Sequence, residues 1–221
     1  MPRWIPEKIW DGQDVFIIGG GESLKTFDWN KLKDEYTIGC NDAFEHGEEI
    51  CKICIFGDAP WFKTFKHKLA LYKGAVFTNA SSLQKTRLPW LWVMGRRSLG
   101  LHSDALGWNF NTGASAINLA ILLGAKQIFL LGFDMHLSKD GKPNWHQNIV
   151  DRPKKEKYPK IYDKFIKGFE RVASDLKTKF PNVKVFNITD NSSLDCFLKV
   201  SVKTFWEGRA NKQSIGKVGV A

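Results

Sequence analysis

The sequence predicts an α/β protein, one domain built on a mainly parallel sheet with helices on both faces. Three observations carry that reading. Short apolar runs recur along the chain, each ending in glycine or a small polar residue, and most gaps between them are long enough for a helix. The first run, Val15–Ile18, passes directly into Gly19-Gly20-Gly21-Glu22-Ser23. An unbroken apolar run is what a strand shows when both faces of its sheet are covered, and parallel neighbours need helical crossovers to connect them.

The elements follow in order. Val15–Ile18 is a strand, and its glycines allow a tight turn and close backbone approach. Gly20 and Gly21 are therefore candidates to admit a phosphate, with a positive φ expected at Gly21. Tyr36–Cys40 ends at Asn41-Asp42, Ile53–Phe56 at Gly57-Asp58, and Ala75–Phe77 at Thr78-Asn79. Ile128–Leu131 ends at Gly132-Phe133-Asp134, and Val183–Phe186 at Asn187. Ligands of open parallel sheets bind outside the carboxyl ends of the strands, so these polar residues are expected to converge on one site.

Two helices are explicit. Thr112–Gly124 starts with small polar residues, is otherwise almost wholly apolar and closes on glycine, as a buried helix with a glycine C-cap does. Its first amides, from Thr112 and Gly113 to Ser115, form a second candidate anion cradle. The other helix spans about 158–180, with Ile161, Phe165, Phe169, Val172, Leu176 and Phe180 on one face. Lys160, Lys164, Lys167, Arg171 and Lys177 lie opposite. The polar connection His136–Pro153 reads as a binding loop or lid. The core is expected to run from about 12 to 198, with a basic C-terminal tail over 199–221.

Bulk composition bounds the function. At 221 residues with 43% apolar and 13% aromatic content, one well-buried domain is expected. The sequence contains no run of about 18 apolar residues and no signal-peptide core near its start, so a cytoplasmic protein without a membrane span is expected. The net charge of +10 is uneven: residues 1–60 hold 6 Lys/Arg against 12 Asp/Glu, and 61–221 hold 27 against 11. The later segment, at +16, suits nucleotide phosphates or a polyanionic partner such as duplex DNA; the alternative is a solvated lysine-rich face. Cys51 and Cys54 form a CxxC inside an apparent strand, where positions i and i+3 point to opposite faces, so all four cysteines read as reduced structural thiols.

Several chemistries lack their motif. No G-x-x-x-x-G-K-[ST] occurs, no G-x-S-x-G, and the dinucleotide fingerprint fails because Leu24 replaces its third glycine. No D-x-D pair is present, so no metal is demanded. What remains is Asn41, Asp42, Asp58, Asp134, His136 and His146. His146, beside Trp145 in the long loop, is the natural general base for a hydroxyl.

Taken together, Gly19–Leu24, Cys40-Asn41-Asp42, Asn111–Asp134, a late histidine, a lysine-rich helix and Asn187–Leu194 resemble the bacterial sialyltransferases of glycosyltransferase family 42. They also resemble a wider Rossmann-like group that includes archaeal 6-hydroxymethylpterin pyrophosphokinases and uncharacterised phage proteins. The likeness covers about residues 12–198. It implies a single Rossmann-like domain, a GT-A-like variant, and metal-independent transfer from a CMP- or UDP-linked sugar with inversion. Gly20, Gly21, Glu22 and Ser23 would line the donor phosphate or sugar, and Asn41, Asp42, Asp58, Thr112, Gly113 and Asp134 would bind nucleotide or donor. His146 would be the base.

Tyrosines hydrogen-bond the leaving phosphate in those sialyltransferases. The position after Gly-Phe-Asp carries Met135-His136 here, so His136 is the candidate for that bond. Glu22 would repel a sugar carboxylate, which argues against sialic acid as the donor sugar. The acceptor implied is a hydroxyl, in its specific version hydroxymethylated phage DNA, with Lys164, Lys167 and Arg171 on the polyanion. Two alternatives stand beside this reading: a pyrophosphokinase whose Mg2+ would be held by Asp42, Asp58 or Asp134, and a non-catalytic nucleotide- or nucleic-acid-binding protein. Oligomeric state stays open.

Overall fold

The structure is a computed structural model that describes residues 5–146 and 157–218, with side chains through residue 210. Eight of its strands form one sheet: β1 (Asp14–Ile18), β2 (Tyr36–Cys40), β3 (Ile53–Phe56), β4 (Ala75–Thr78), β5 (Leu91–Val93), β8 (Gln127–Leu131), β9 (Lys184–Asn187) and β10 (Leu198–Lys199). Every pairing is parallel, and the spatial order is β10-β9-β8-β1-β2-β3-β4-β5. Two short parallel strands, β6 (Arg96–Arg97) and β7 (Leu106–Gly107), lie apart from it. The helices are α1 (Ala59–Leu71), α2 (Thr112–Leu122), α3 (Tyr158–Lys179) and α4 (Val202–Val218).

Alternation along the strands divides the core between two faces. Val15, Ile17, Ile128 and Leu130 pack under α2 and the Phe169, Val172, Leu176 stripe of α3. Phe16, Ile18, Phe129 and Leu131 face the other way. That second face differs from expectation. The connections after β1 and β2 hold only 3-10 turns, Glu22–Thr26, Trp29–Leu32 and Asn41–His46, in place of crossover helices.

The expected tail supplies part of the missing cover. Residues 202–218 are helical, and Phe205 and Trp206 pack on Phe16, the Trp206 ring stacked at 5.4 Å. Arg209 then clamps the helix, bonding Asp14 at 3.0 Å and Glu35 at 2.7 Å. The basic composition that reads as a solvated tail hides this, because only one face of the helix is apolar.

Chain order explains where a ligand would sit. From β1 the chain moves outward through β2 to β5, then returns to β8 on the other side of β1. The crevice at the carboxyl ends of β1 and β8 is thus the topological switch point, where open α/β sheets place ligands. The predicted strand ends at 18, 40, 56 and 131 all border it.

The CxxC expectation needs a different reason. β3 begins only at Ile53, so Cys51 precedes the strand, and both thiols share one apolar cluster with Phe44, Trp61 and Phe65. The four cysteines are unpaired, and burial raises Cys51 to about 11, Cys196 to about 12 and Cys54 well above its ordinary value. They stay as thiols.

Candidate functional site

A cavity of about 590 Å³ opens at the switch point, bounded by the ends of β1, β2, β3 and β8, the start of α2 and the first turns of α3. Its polar side carries Gly20, Asn41, Asp42, Thr112, Gly113 and His146; Trp61, Trp108, Phe110, Tyr158, Tyr162 and Phe165 make the aromatic side. No lysine or arginine lines it among the described residues. Three of its lining residues, Asn41, Phe110 and Met135, hold positive φ without being glycine, at 52°, 65° and 58°. Such strain persists only where surrounding structure over-determines it, and it clusters at functional sites.

Asp42 and His146 meet at the polar side of the cavity. Asp42 is 1% exposed, on the 3-10 turn that follows β2. Trp61 of α1 donates its indole N–H to Asp42 Oδ1 at 2.5 Å, and His146 Nδ1 lies 2.8 Å from Oδ2, close but not aligned as a full hydrogen bond. Contacts of this kind commonly tighten only when substrate is bound. The other imidazole nitrogen, Nε2, faces Gly20: a β-carbon there would stand 3.8 Å from it and 3.2 Å from Asn144 Oδ1. The loop bearing His146 is pinned to the glycine turn, Trp145 N–H donating to Gly20 O at 3.1 Å. Its remainder, 147–153, lies outside the described residues.

The glycine turn itself corrects the sequence reading. Gly21 has φ −63°, and a β-carbon there would lie 2.2 Å from Asp134 Oδ1 and 2.7 Å from Gly132 O. Ser23 donates its amide at 2.9 Å and its hydroxyl at 2.6 Å to the Asp134 carboxylate. The turn thus holds an anion, and the anion is the protein's own. Glu22 pairs with Lys25 at 3.6 Å, and neither Glu22 nor Ser23 lines the cavity. Of the two glycines and two polar residues expected around a donor, Gly20 is the one whose missing side chain leaves room beside His146.

His136 is likewise absent from the cavity lining. Its ring nitrogens face Leu137 O at 2.9 Å and Asn191 O at 2.8 Å. The Leu137 carbonyl, and then the Asn191 carbonyl, raise its pKa against an opposing effect of burial, because two acceptors favour the doubly protonated ring. The site's hydroxyl donors come from residues the sequence reading passed over. Tyr158 and Tyr162 occupy the cavity wall, and burial pushes the Tyr162 phenol up, so it stays protonated. Their spacing of four on one helix face, in line with Ile161 and Phe165, was the available signal, but it reads equally as core.

At α2, the Asn111 side chain caps Ala114 N–H at 2.7 Å and Ser115 donates to Gly107 O at 2.8 Å. Thr112 and Gly113 remain beside the cavity; Ser115 turns away. Asn41 lines the cavity with its Oδ1 buried and without a partner among the described residues, so an incoming N–H or O–H would satisfy it. Asp58 sits at the rim, its carboxyl raised by burial and lowered again by Arg96, whose guanidinium rests 4.3 Å from the Trp108 ring centre. On α3, Lys164, Lys167 and Arg171 are exposed; Lys164 stands 4.6 Å over Phe110, while Arg171 lies 3.4 Å from Asp175. Among the described residues no three His, Cys, Asp or Glu side chains gather in a metal-holding group. No helix among them is long and apolar enough to cross a membrane.

No protein-family model matches this chain, and no curated protein matches its sequence. Among solved structures it is similar to the sialyltransferase CstII from Campylobacter jejuni, determined in complex with a substrate analogue, cytidine-5'-monophosphate. The TM-score is 0.55 at 19% identity, over 86% of this chain and 86% of that one. The similarity is one of fold: a single α/β domain on a parallel sheet.

Proposed function

We propose that this chain is a glycosyltransferase that moves a sugar from a nucleotide-sugar donor onto an acceptor hydroxyl. The observation that carries the reading is His146, set 2.8 Å from a fully buried carboxylate with Nε2 directed into a switch-point cavity. A carboxylate at Nδ1 holds the proton there and leaves Nε2 as the base. In the proposed step the acceptor hydroxyl gives its proton to Nε2 and its oxygen bonds the anomeric carbon. The bond from that carbon to the donor phosphate breaks, its electron pair leaves with the nucleotide, and a single displacement inverts the centre.

The leaving phosphate would be met by the hydroxyls of Tyr158 and Tyr162 and by the Thr112 and Gly113 amides. The two tyrosines take the place first assigned to His136, and of the two anion cradles expected, the Gly20–Ser23 turn and the start of α2, the second serves in this reading. Asn41 Oδ1 would accept from the donor's ribose or base. The fold similarity to a protein bound to CMP supports a cytidine nucleotide as the first donor to try. Four unpaired cysteines fit a reducing, cytoplasmic setting. The +16 later segment and exposed Lys164 and Lys167 support an anionic acceptor, with DNA bearing a hydroxymethylated base as its specific form.

One observation favours the rival pyrophosphokinase: three aspartates border a cavity that no lysine or arginine lines among the described residues, a setting in which a divalent cation would carry the phosphate charge. Against it, each aspartate already has a protein donor or cation of its own, Asp42 with Trp61 and His146, Asp58 with Arg96, and Asp134 with Ser23. A thermal-shift panel of CMP, UDP, GDP, ADP and ATP, each with Mg2+ and with chelator, separates the two. Stabilisation by CMP or UDP in chelator is expected; strict Mg2+ dependence with ATP alone overturns the transferase in favour of the kinase.

A further inference from the structure

Trp61 borders the cavity, and among the described residues it makes the one aligned hydrogen bond to the carboxylate behind His146. A buried carboxylate is costly unless donors meet it. Asp42 is met here by one indole N–H and one imidazole, and by no lysine or arginine among the described residues. The indole cannot swing away to release it. Trp61 stands at the first turn of α1 with its ring 4.8 Å from Phe65 and 5.1 Å from Phe56, and Phe44 meets it edge-on at 5.9 Å. The N–H is thereby fixed in space by apolar packing that does not involve the histidine.

We infer that Trp61 is a positioning residue: its N–H locks the rotation of the Asp42 carboxylate so that Oδ2 stands 2.8 Å from His146 Nδ1, which favours the imidazole proton on Nδ1 and makes Nε2 the nitrogen that accepts a proton. Indole N–H is suited to this role because it donates only and carries no charge. It therefore orients Asp42 without competing for its negative charge as a lysine or arginine would. Without that bond the carboxylate turns, and free imidazole in water favours the opposite tautomer, with the proton on Nε2. The chain of contact runs from α1 through the turn after β2 to the loop at 144–146. Three segments far apart in sequence thus set the state of one nitrogen.

The inference rests on the base role proposed for His146, but its test reads the imidazole in the free protein, where no substrate is needed. Nitrogen-15 NMR of the histidine side chains, with His146 assigned by His146→Gln, gives the tautomer at a pH where the ring is neutral. In the parent protein the Nδ1–H form is expected to dominate. In Trp61→Phe the signal should move toward the Nε2–H form, and with an active donor–acceptor pair kcat should fall about tenfold or more while nucleotide affinity holds.

If Trp61→Phe fails to fold, 3-benzothienylalanine at position 61 keeps the bicyclic shape and removes only the N–H, and the same shift is expected. A variant that loses thermal stability but keeps the parent tautomer overturns the inference, since packing alone would then account for Trp61. The same holds if the parent protein already shows Nε2–H. A tautomer shift in a protein that transfers no sugar leaves the positioning role in place and counts against the transferase reading alone.

Discussion

Two carboxylates stand at the ends of strands that flank β1, and they are used in opposite ways. Asp134, after β8, accepts both the amide and the hydroxyl of Ser23, and its oxygens fill the space that glycine leaves at position 21. Asp42, after β2, is deeper, yet it is held by an indole and turned to a histidine that opens on the cavity. Both are buried, polar and next to a turn, so burial does not tell them apart. The partners do: Asp134 accepts the amide and the hydroxyl of the turn that it ties down, whereas under the proposed reading the contact from Asp42 to His146 tightens during a reaction. The glycine turn, which looks like the phosphate site, ties down a carboxylate of the protein itself through Ser23, and under the proposed reading the quieter Asn41-Asp42 turn carries the chemistry.

This contrast can be broken most sharply at Asp42. Asp42→Asn preserves shape but offers an amide where His146 needs an acceptor, so turnover should drop on the order of 10³-fold with little change in melting temperature. Single-turnover assay with the donor selected by the nucleotide panel measures it. Equal loss of stability and rate would place Asp42 with Asp134 as a fold residue. Next in size is Gly21→Val. The added carbons collide with Asp134 and the Gly132 carbonyl, and urea unfolding should show a loss of roughly 3 kcal/mol. If the variant keeps parental stability and loses nucleotide binding instead, the turn is a ligand cradle after all.

Gly20→Ala sharpens the comparison from the ligand side. Its methyl meets only the Asn144 side chain closely, at 3.2 Å, and projects toward His146, so nucleotide affinity should fall about tenfold, near 1.4 kcal/mol, with a smaller loss in unfolding. Calorimetric titration beside urea denaturation gives both numbers. The smallest effect is a pH signature that separates His136 from His146. The raised pKa of His136 means its folded form binds a proton that the unfolded form releases sooner. The stabilisation is complete below the unfolded histidine value, about 6.5, and is lost as pH rises through the folded value. The stability gap between the parent and His136→Asn should therefore narrow from pH 6 to pH 8. A gap that widens contradicts the two-carbonyl geometry.

Most of the sheet was legible in the chain. Runs such as Ile53–Phe56 and Ile128–Leu131 are covered on both faces, so their composition has to be uniformly apolar, and the polar residues that follow mark the carboxyl edge. β5, β6, β7 and β10 were not legible. They are two or three residues long, and Arg96-Arg97 or Leu198-Lys199 pairs by backbone hydrogen bonds that no side-chain pattern announces. The helix at 202–218 escaped notice because, among its described side chains, Val202, Phe205 and Trp206 are the hydrophobic ones packed on the core, set among charged residues. The start of α3 misleads in the opposite direction: Ile161 and Phe165 continue the stripe of Phe169 and Val172 but line the cavity, since the helix extends past the edge of the core.

The chemistry-bearing residues divide the same way. Asn41, Asp42, Asp58 and Asp134 could be nominated from the chain because each follows a strand, and a parallel sheet delivers all such ends to one edge. Their roles could not, because a role depends on which donor arrives through space. Ser23 reaches Asp134 across 111 positions and Trp61 reaches Asp42 across 19, with no pattern in the chain linking either pair. Local periodicity encodes which face of an element is apolar, and so it carries strand, helix and edge. Partner choice is set by the order in which strands pack and by side chains converging from separate crossovers, and that information exists only once the sheet is assembled.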